Sequence, residues 1–408
     1  MKKIVITGRG IVSPLGTSLR ENKEALLQGR SGIVFREEWK ELGMDSQVCG
    51  QVRNIPECPL LDRKKMRFTS PNSMMSVVAT YEAIQEAGLT LEDLKNYRVG
   101  LIGGCSGSNY IEVYENAVTF METRRVKKVK PFTVPRVMPS SAVANISLIF
   151  GVTGESYDIS SACASSAHAV MMAHRMIKAD LYDVVLVCGS EEVSWVQAIG
   201  FDAMRALSTK YNDTPEKASR PFDADHDGFV IAEGAGTVVV ESEEFARKRN
   251  ARPIVELTGA AGNSNATDMV VPVASSSAAV MRAALENAGL KPEDIDYINT
   301  HGTATPTGDP VELEAIRQVF GNRTAFNSTK AMTGHTIGAA GAVELILTSI
   351  MMENNFICPS LNVDRILDGY EDMNIVLKAR HDVKIRHALS NSFGFGGQNA
   401  SVVLSSCD

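Results

Sequence analysis

Along this chain, unbroken apolar runs of strand length alternate with stretches whose apolar positions recur at helical spacing. DVVLVCGS (183–190), GTVVVES (236–242) and ASVVL (400–404) do not alternate between wet and dry faces, so they predict strands buried on both sides. Alanine- and methionine-rich stretches at 164–179 and 338–353 predict helices packed against such strands. The opening MKKIVITGRG also reads as a strand, since only four residues separate its lysines from Gly8, too few for a signal-peptide core. One pattern occurs twice. EAIQEAGLTLEDLKNYRVGLIGG (82–104) resembles RAALENAGLKPEDIDYINTHGT (282–303), with Ala87, Gly88 and Leu89 matching Ala288, Gly289 and Leu290. Each copy is a helix closed by glycine, an acidic turn, and an apolar strand running into a glycine-containing loop. The expected fold class is therefore α/β, made of two similar halves, 1–250 and 251–408, divided after the basic FARKRNAR stretch.

Composition narrows the class. At 408 residues the chain exceeds a typical single core, which agrees with two halves. A net charge of −7 argues against a dedicated nucleic-acid binder, and no apolar run approaches the roughly 20 residues needed to cross a bilayer. A cytoplasmic setting with no membrane partner is expected. The seven cysteines are odd in number and include no C-x-x-C pair, so neither a disulfide framework nor a zinc site is signalled.

Candidate chemistry begins at YDISSACASSAHAV (157–170), where Cys163 sits among small residues just before a predicted helix. A helix N-terminus there would lower the thiol pKa and favour a nucleophilic thiolate. The plainer reading is a small residue in a tight strand-to-helix turn. NTHGTATPTGDPVE (299–312) and NSTKAMTGHTIGAAGAVE (327–344) place His301 and His335 in small-residue loops directly after strand-like segments. SNSFGFGGQNASVV (390–403) has glycines at 394, 396 and 397 that open the backbone to a ligand, without the lysine or following helix of a phosphate loop. GRGIVSPLG lacks dinucleotide-binding glycine spacing. In DADHDGFVIAEG (223–234) the acidic spacing starts like a calcium loop, but position 234 is glycine, and an acidic turn is the better reading. His168 and His174, six apart, read as structural, and the paired methionines at 74–75, 171–172 and 351–352 as core filler.

Taken together, VITGRGIVSPLG, SSACASSAH, ALSTKYNDTPEKASRPFDADHDGFVIAEGAG, HGTATPTGD, STKAMTGHTIGAAGAVE and NSFGFGG resemble the β-ketoacyl-[acyl-carrier-protein] synthases, over essentially the whole chain. GMDSQVCGQV, LLDRKKMRF and FDAMRALSTKYNDTPEKASR are most similar to the synthase I type, while Gln197, Gly200 and Arg205 depart from that pattern, and the RALST stretch resembles synthase II equally. The resemblance implies a thiolase-like, layered αβαβα fold and a decarboxylative condensation that elongates acyl chains. By it, Cys163 carries the acyl group, His301 and His335 form the decarboxylating pair, and Lys330 and Glu344 support them. The backbone N–H groups of Cys163 and Phe395 would form the oxyanion hole. Phe393 and Phe395 would gate the site, and Thr303 and Thr305 would hold a phosphopantetheine arm. No metal or resident cofactor is implied, because acyl carrier protein supplies that arm. Its acidity implies a basic docking face, for which Arg63, Lys64, Lys65 and Arg67, and Arg124, Arg125, Lys127, Lys128 and Lys130, are the candidates. A homodimer is also implied. The rivals are a synthase II-type or polyketide-like ketosynthase, a thiolase, a non-catalytic chain-length partner, and a cysteine hydrolase.

Overall fold

The computed structural model describes residues 2–407. Its first half carries strands β1 (Ile4–Val12), β2 (Val99–Gly104), β3 (Ser156–Ile159), β4 (Val184–Glu191) and β5 (Gly234–Ser242). The main helices of this half are α1 (Pro71–Glu86), α2 (Tyr110–Thr123), α3 (Ser165–Lys178) and α4 (Trp195–Ala203). The second half carries β6 (Val255–Ser264), β7 (Tyr297–Asn299), β8 (Ala325–Asn327), β9 (His387–Gly394) and β10 (Gln398–Ser406), with α5 (Ala274–Ala288), α6 (Gly308–Phe320) and α7 (Ala340–Glu353). The predicted strands and helices are present, with ends displaced by at most three residues.

The halves repeat one topology. Strand order is β3-β2-β4-β5-β1 in the first and β8-β7-β9-β10-β6 in the second. Corresponding pairs share direction: β2 is parallel to β3 and β4, while β5 is antiparallel to β4 and β1. In the second half β7 is parallel to β8 and β9, and β10 is antiparallel to β9 and β6. The two sets join through a short seam, Val5 opposite Glu256 and Ile6 opposite Val255. The repeated helices α1 and α5 are followed by left-handed glycines, Gly88 at φ +64 and Gly289 at φ +69, as the repeat predicts.

Layering explains the unbroken apolar runs. Helix α1 covers β1, β4 and β5 from outside, α5 covers β6 and β10, and α3 and α7 lie between, each touching strands of both halves. This is the layered αβαβα arrangement. A strand in it has a helix on each face, so β4 is buried along its whole length. The central α7 is buried all round through Met352, which is why its sequence lacks a polar face. Close packing also accounts for the small residues near Cys163. A Cβ at Gly104 would lie 2.4 Å from the Ser166 backbone nitrogen, and one at Gly341 would lie 2.5 Å from that of Ala167. The first turn of α3 is pressed against β2 on one side and α7 on the other, so the backbones meet with no room for larger side chains.

Candidate active site

Between β3 and α3 the chain makes a tight turn. Ser161 N donates to Ser165 Oγ at 2.9 Å, the Ser165 hydroxyl donates to Ala162 O at 2.6 Å, and Ala164 N donates to Ser161 O at 3.0 Å. These bonds hold Ala162 at φ +50, a left-handed conformation costly for a side chain with a Cβ, and present Cys163 at the foot of α3. Three other strand-end segments face it. The 300–307 loop after β7 carries His301, the loop after β8 carries His335, and the β9–β10 turn carries Phe393 and Phe395.

Tertiary folding brings these together. Cys163 Sγ and one ring nitrogen from each of His301 and His335 all lie within 4.8 Å of one another. The imidazoles stand edge to face, centroids 5.2 Å apart at 85°, with Phe393 5.9 Å from His301 and Phe229 5.5 Å from His335. A cavity of about 230 Å³ is lined by Cys163, both histidines, Phe393, Phe395, Thr303 and Thr305. Lys330 and Glu344 do not line it. They form a fully buried ion pair behind it, at 2.5 Å, and Thr329 Oγ1 also donates to Glu344 Oε1.

Burial and one cation set the electrostatics. Burial and the Lys330 charge hold both imidazoles well below the ordinary histidine range, so they are neutral at physiological pH. His301 Nδ1 and both ring nitrogens of His335 have no partner among the described residues, which leaves them for a ligand. The thiol departs from the expectation of a lowered pKa: burial pushes Cys163 up to about 12, and the nearby Glu191 adds to the rise. Lys330 and the backbone N–H groups of Phe395 and Cys163 oppose this without overcoming it. The helix begins at Ser165, two residues beyond the sulfur, so its N-terminal field is weaker at Sγ than a cysteine in the first turn would feel. At rest Cys163 is therefore a thiol, and any attack by its sulfur requires that the proton leave. One thiol and two imidazoles have the composition of a soft-metal site, and the nearby Lys330 charge would repel a second cation there.

A thiol facing two neutral imidazoles has the composition for acyl transfer coupled to stabilisation of an enolate. Residues 1–246 match the family model described as the N-terminal domain of β-ketoacyl synthase, and residues 254–364 match that of its C-terminal domain. The chain belongs to the β-ketoacyl synthase family. It is 44% identical over 406 residues, 99% of each chain, to the 3-oxoacyl-[acyl-carrier-protein] synthase 1 of Escherichia coli K12. A solved β-ketoacyl synthase from Burkholderia phymatum superposes with a TM-score of 0.95 at 34% identity, each chain fully covered. A type II polyketide ketosynthase solved in complex with its acyl-carrier protein gives 0.88 at 28% identity, again with full coverage. Like these relatives, this chain is a condensing acyltransferase.

Several buried residues that shape the ketosynthase site were not singled out from sequence. The Glu312 carboxylate accepts from His301 N at 2.8 Å, Gly302 N at 2.6 Å and Asn391 Nδ2 at 3.1 Å, and burial raises it to about 7. Asp309, one turn earlier on α6, accepts from Thr303 N and Ala304 N at 3.0 Å and from Phe222 N at 2.7 Å. Together they pin the His301–Ala304 loop to α6. Their i, i+3 spacing in GDPVE was visible, but acids in a first helical turn usually serve the helix dipole. Glu191, pushed up to about 7 by burial, accepts from Ser106 N and Oγ, Gly338 N and Gln197 Nε2 beside the thiol. Gln197 thus belongs to this buried network, whereas Arg205 lines the cavity mouth.

In the acidic turn at 223–228, Asp223 and Asp227 spend their carboxylates on protein partners, some of them distant in the chain. Asp223 holds Arg220 and three backbone amides, and Asp227 holds Ser208, Thr209 and Lys210. His168 accepts or donates at Nδ1 to Ser161 Oγ at 2.7 Å, and His174 is buried in α3. The two basic clusters lie outside the cavity but close together. The edge-to-face pair Phe68–Phe132, at 5.0 Å, ties the segment bearing Arg63, Lys64, Lys65 and Arg67 to the one that follows Arg124, Arg125, Lys127, Lys128 and Lys130. Exposed Met66, Val126 and Val134 stand among these cations, and Lys130 pairs with Glu115 at 2.7 Å.

Proposed function

We propose that the protein elongates acyl chains by condensing a malonyl thioester with an acyl group carried on Cys163, both delivered on the phosphopantetheine arm of acyl carrier protein. The observation that carries this reading is the single sulfur facing two neutral imidazoles across one cavity. In the first half-reaction Sγ attacks the acyl thioester carbon while its proton passes toward the departing thiol. The carbonyl oxygen becomes an oxyanion facing the N–H groups of Cys163 and Phe395, worth roughly 3 kcal/mol per donor. The thioester C–S bond then breaks, the carrier thiol leaves, and the acyl group stays on the enzyme. In the second, the malonyl C–C bond breaks, carbon dioxide leaves, and the electron pair spreads onto the thioester oxygen, which accepts from the His301 and His335 N–H groups. The carbanion attacks the acyl-cysteine carbon and the C–S bond to Cys163 breaks. The sulfur takes up one proton, and the β-ketoacyl thioester departs on the carrier. Phe393 and Phe395 gate entry, and Thr303 and Thr305 hold the arm.

The converging basic clusters, with apolar side chains among them, suit an acidic carrier. A homodimer accounts for the outer edge of β3, where Tyr157 is exposed beside an unpaired strand edge and Leu148 is exposed nearby. Incubation with malonyl carrier protein and a ladder of acyl carrier proteins, with products weighed by mass spectrometry, tests the reaction. Products lengthened by two carbons with carbon dioxide released support it. Acyl hydrolysis without carbon dioxide release would establish a hydrolase instead. Sedimentation at micromolar concentration tests the dimer.

A further inference from the structure

Helix α4 ends in a Schellman-type turn, with Arg205 N donating to Asp202 O at 2.8 Å and Ala206 N donating to Phe201 O at 3.0 Å. That motif places Arg205 at φ +56, a position where glycine is at ease and a residue with a Cβ is strained. Elsewhere this chain closes helices in the same conformation with Gly29, Gly151 and Gly289. Among the described residues Arg124, in the second basic cluster, is the one other arginine held this way. A strained backbone that persists on an exposed turn points to a side chain with a task.

The place and charge of Arg205 suggest that task. It is exposed and lines the cavity together with Thr303, Thr305 and Thr307, of which Thr307 is exposed and Thr303 buried, so the guanidinium stands where the cavity meets solvent. No acidic side chain among the described residues pairs with it, unlike Arg220, Arg249 and Arg9, which are each committed to carboxylates. An unpaired guanidinium presents a planar fork of donors that matches two phosphate oxygens. An arm that reaches Cys163 with its thioester past Thr303 and Thr305 carries its phosphodiester at the far, outer end.

We propose that Arg205 binds the phosphodiester of the phosphopantetheine arm at the cavity mouth, anchoring the arm while its thioester lies against Cys163. This rests on the carrier-dependent reaction assigned above. The test compares acylation of Cys163, as kcat/KM, by the same acyl group on pantetheine, on 4′-phosphopantetheine and on carrier protein. The native enzyme is expected to favour phosphopantetheine over pantetheine by about tenfold or more, the worth of one charge-assisted hydrogen bond. In Arg205→Ala and Arg205→Gly that preference is expected to collapse to near unity, and Arg205→Lys to restore part of it. Arg205→Gly also relieves the left-handed strain, so its thermal midpoint is expected to match or exceed the native one, which separates lost recognition from lost folding. A preference that survives in Arg205→Gly overturns the proposal. So does a loss confined to the carrier-protein substrate, because Arg205 would then be reading acidic side chains of the carrier. Failure of the native enzyme to take acyl groups from any of the three donors would overturn the assigned reaction, and this inference with it.

Discussion

Among the described residues, Glu312 is the one side chain that holds His301 N and Gly302 N, and replacing it by alanine removes it together with a partner of Asn391. Each buried donor left without an acceptor costs about 1–3 kcal/mol. The variant also sheds the desolvation penalty that lifts this carboxyl to about 7, so the net loss of stability at pH 7 is expected near 2 kcal/mol. The catalytic loss should be larger. In the proposed reaction His301 supplies one of two donors to the enolate oxygen, and a preorganised donor of this kind is worth about 10²–10³-fold in rate. Glu312→Gln keeps one acceptor oxygen but turns its amide NH₂ toward a backbone N–H, so an intermediate loss is expected. The assay is single-turnover carbon dioxide release from malonyl thioester, set beside acylation of Cys163, whose turn is held separately by Ser161 and Ser165. Decarboxylation that falls no further than acylation, in protein shown to be folded, would refute the argument that Glu312 works through His301.

Cys163→Ala is expected to abolish acyl transfer while keeping part of malonyl decarboxylation, measured as carbon dioxide release; equal loss of both would contradict the division of labour between sulfur and imidazoles. Lys330→Met should cost about 3–5 kcal/mol by stranding buried Glu344. It should also move the acid limb of decarboxylation to higher pH, because the cation that suppresses histidine protonation is gone. Adding Glu344→Leu should recover stability without returning the limb, whereas a purely structural ion pair would leave the limb unmoved throughout. Lys64→Glu with Lys128→Glu should raise KM for carrier-bound substrates and leave small thioesters unaffected, checked by steady-state kinetics. His174 is held down to about 4 by burial and by Lys178 and Arg175, against 6.5 when unfolded. The unfolded chain therefore binds more protons between those values, and stability should fall as pH drops from 6.5 to 4, by at most about 1.4 kcal/mol per pH unit from this residue. Chemical denaturation across that window should show a flatter profile in His174→Gln.

The elements most legible from sequence were those buried on every side. β4 is buried along its whole length and α7 through Met352 because helices or strands cover their faces, so their sequences are mostly apolar with no solvent-facing polar rhythm to misread. The glycine-closed repeat exposed the doubled topology for the same local reason, since a left-handed helix end constrains residue type wherever it occurs. Cys163, His301 and His335 were identifiable as chemistry-bearing residues in small-residue loops.

Their meaning was decided by contacts across the chain. Whether three residues separated by up to 172 positions share one cavity depends on where β3, β7 and β8 end in space, which no local pattern encodes. The same holds for proton affinity. Position before a helix argued for an acidic thiol, yet the surroundings that bury Cys163 come from distant loops, and burial prevails. Glu312 and Asp309 look like ordinary helix-start acids until the fold turns them onto the backbone of the His301 loop. Local sequence determined which segments could be strands, helices and turns, because backbone preference and burial pattern act over a few residues. Tertiary structure decided distances, burial and charge at the site, because electrostatic and packing energies depend on neighbours in space.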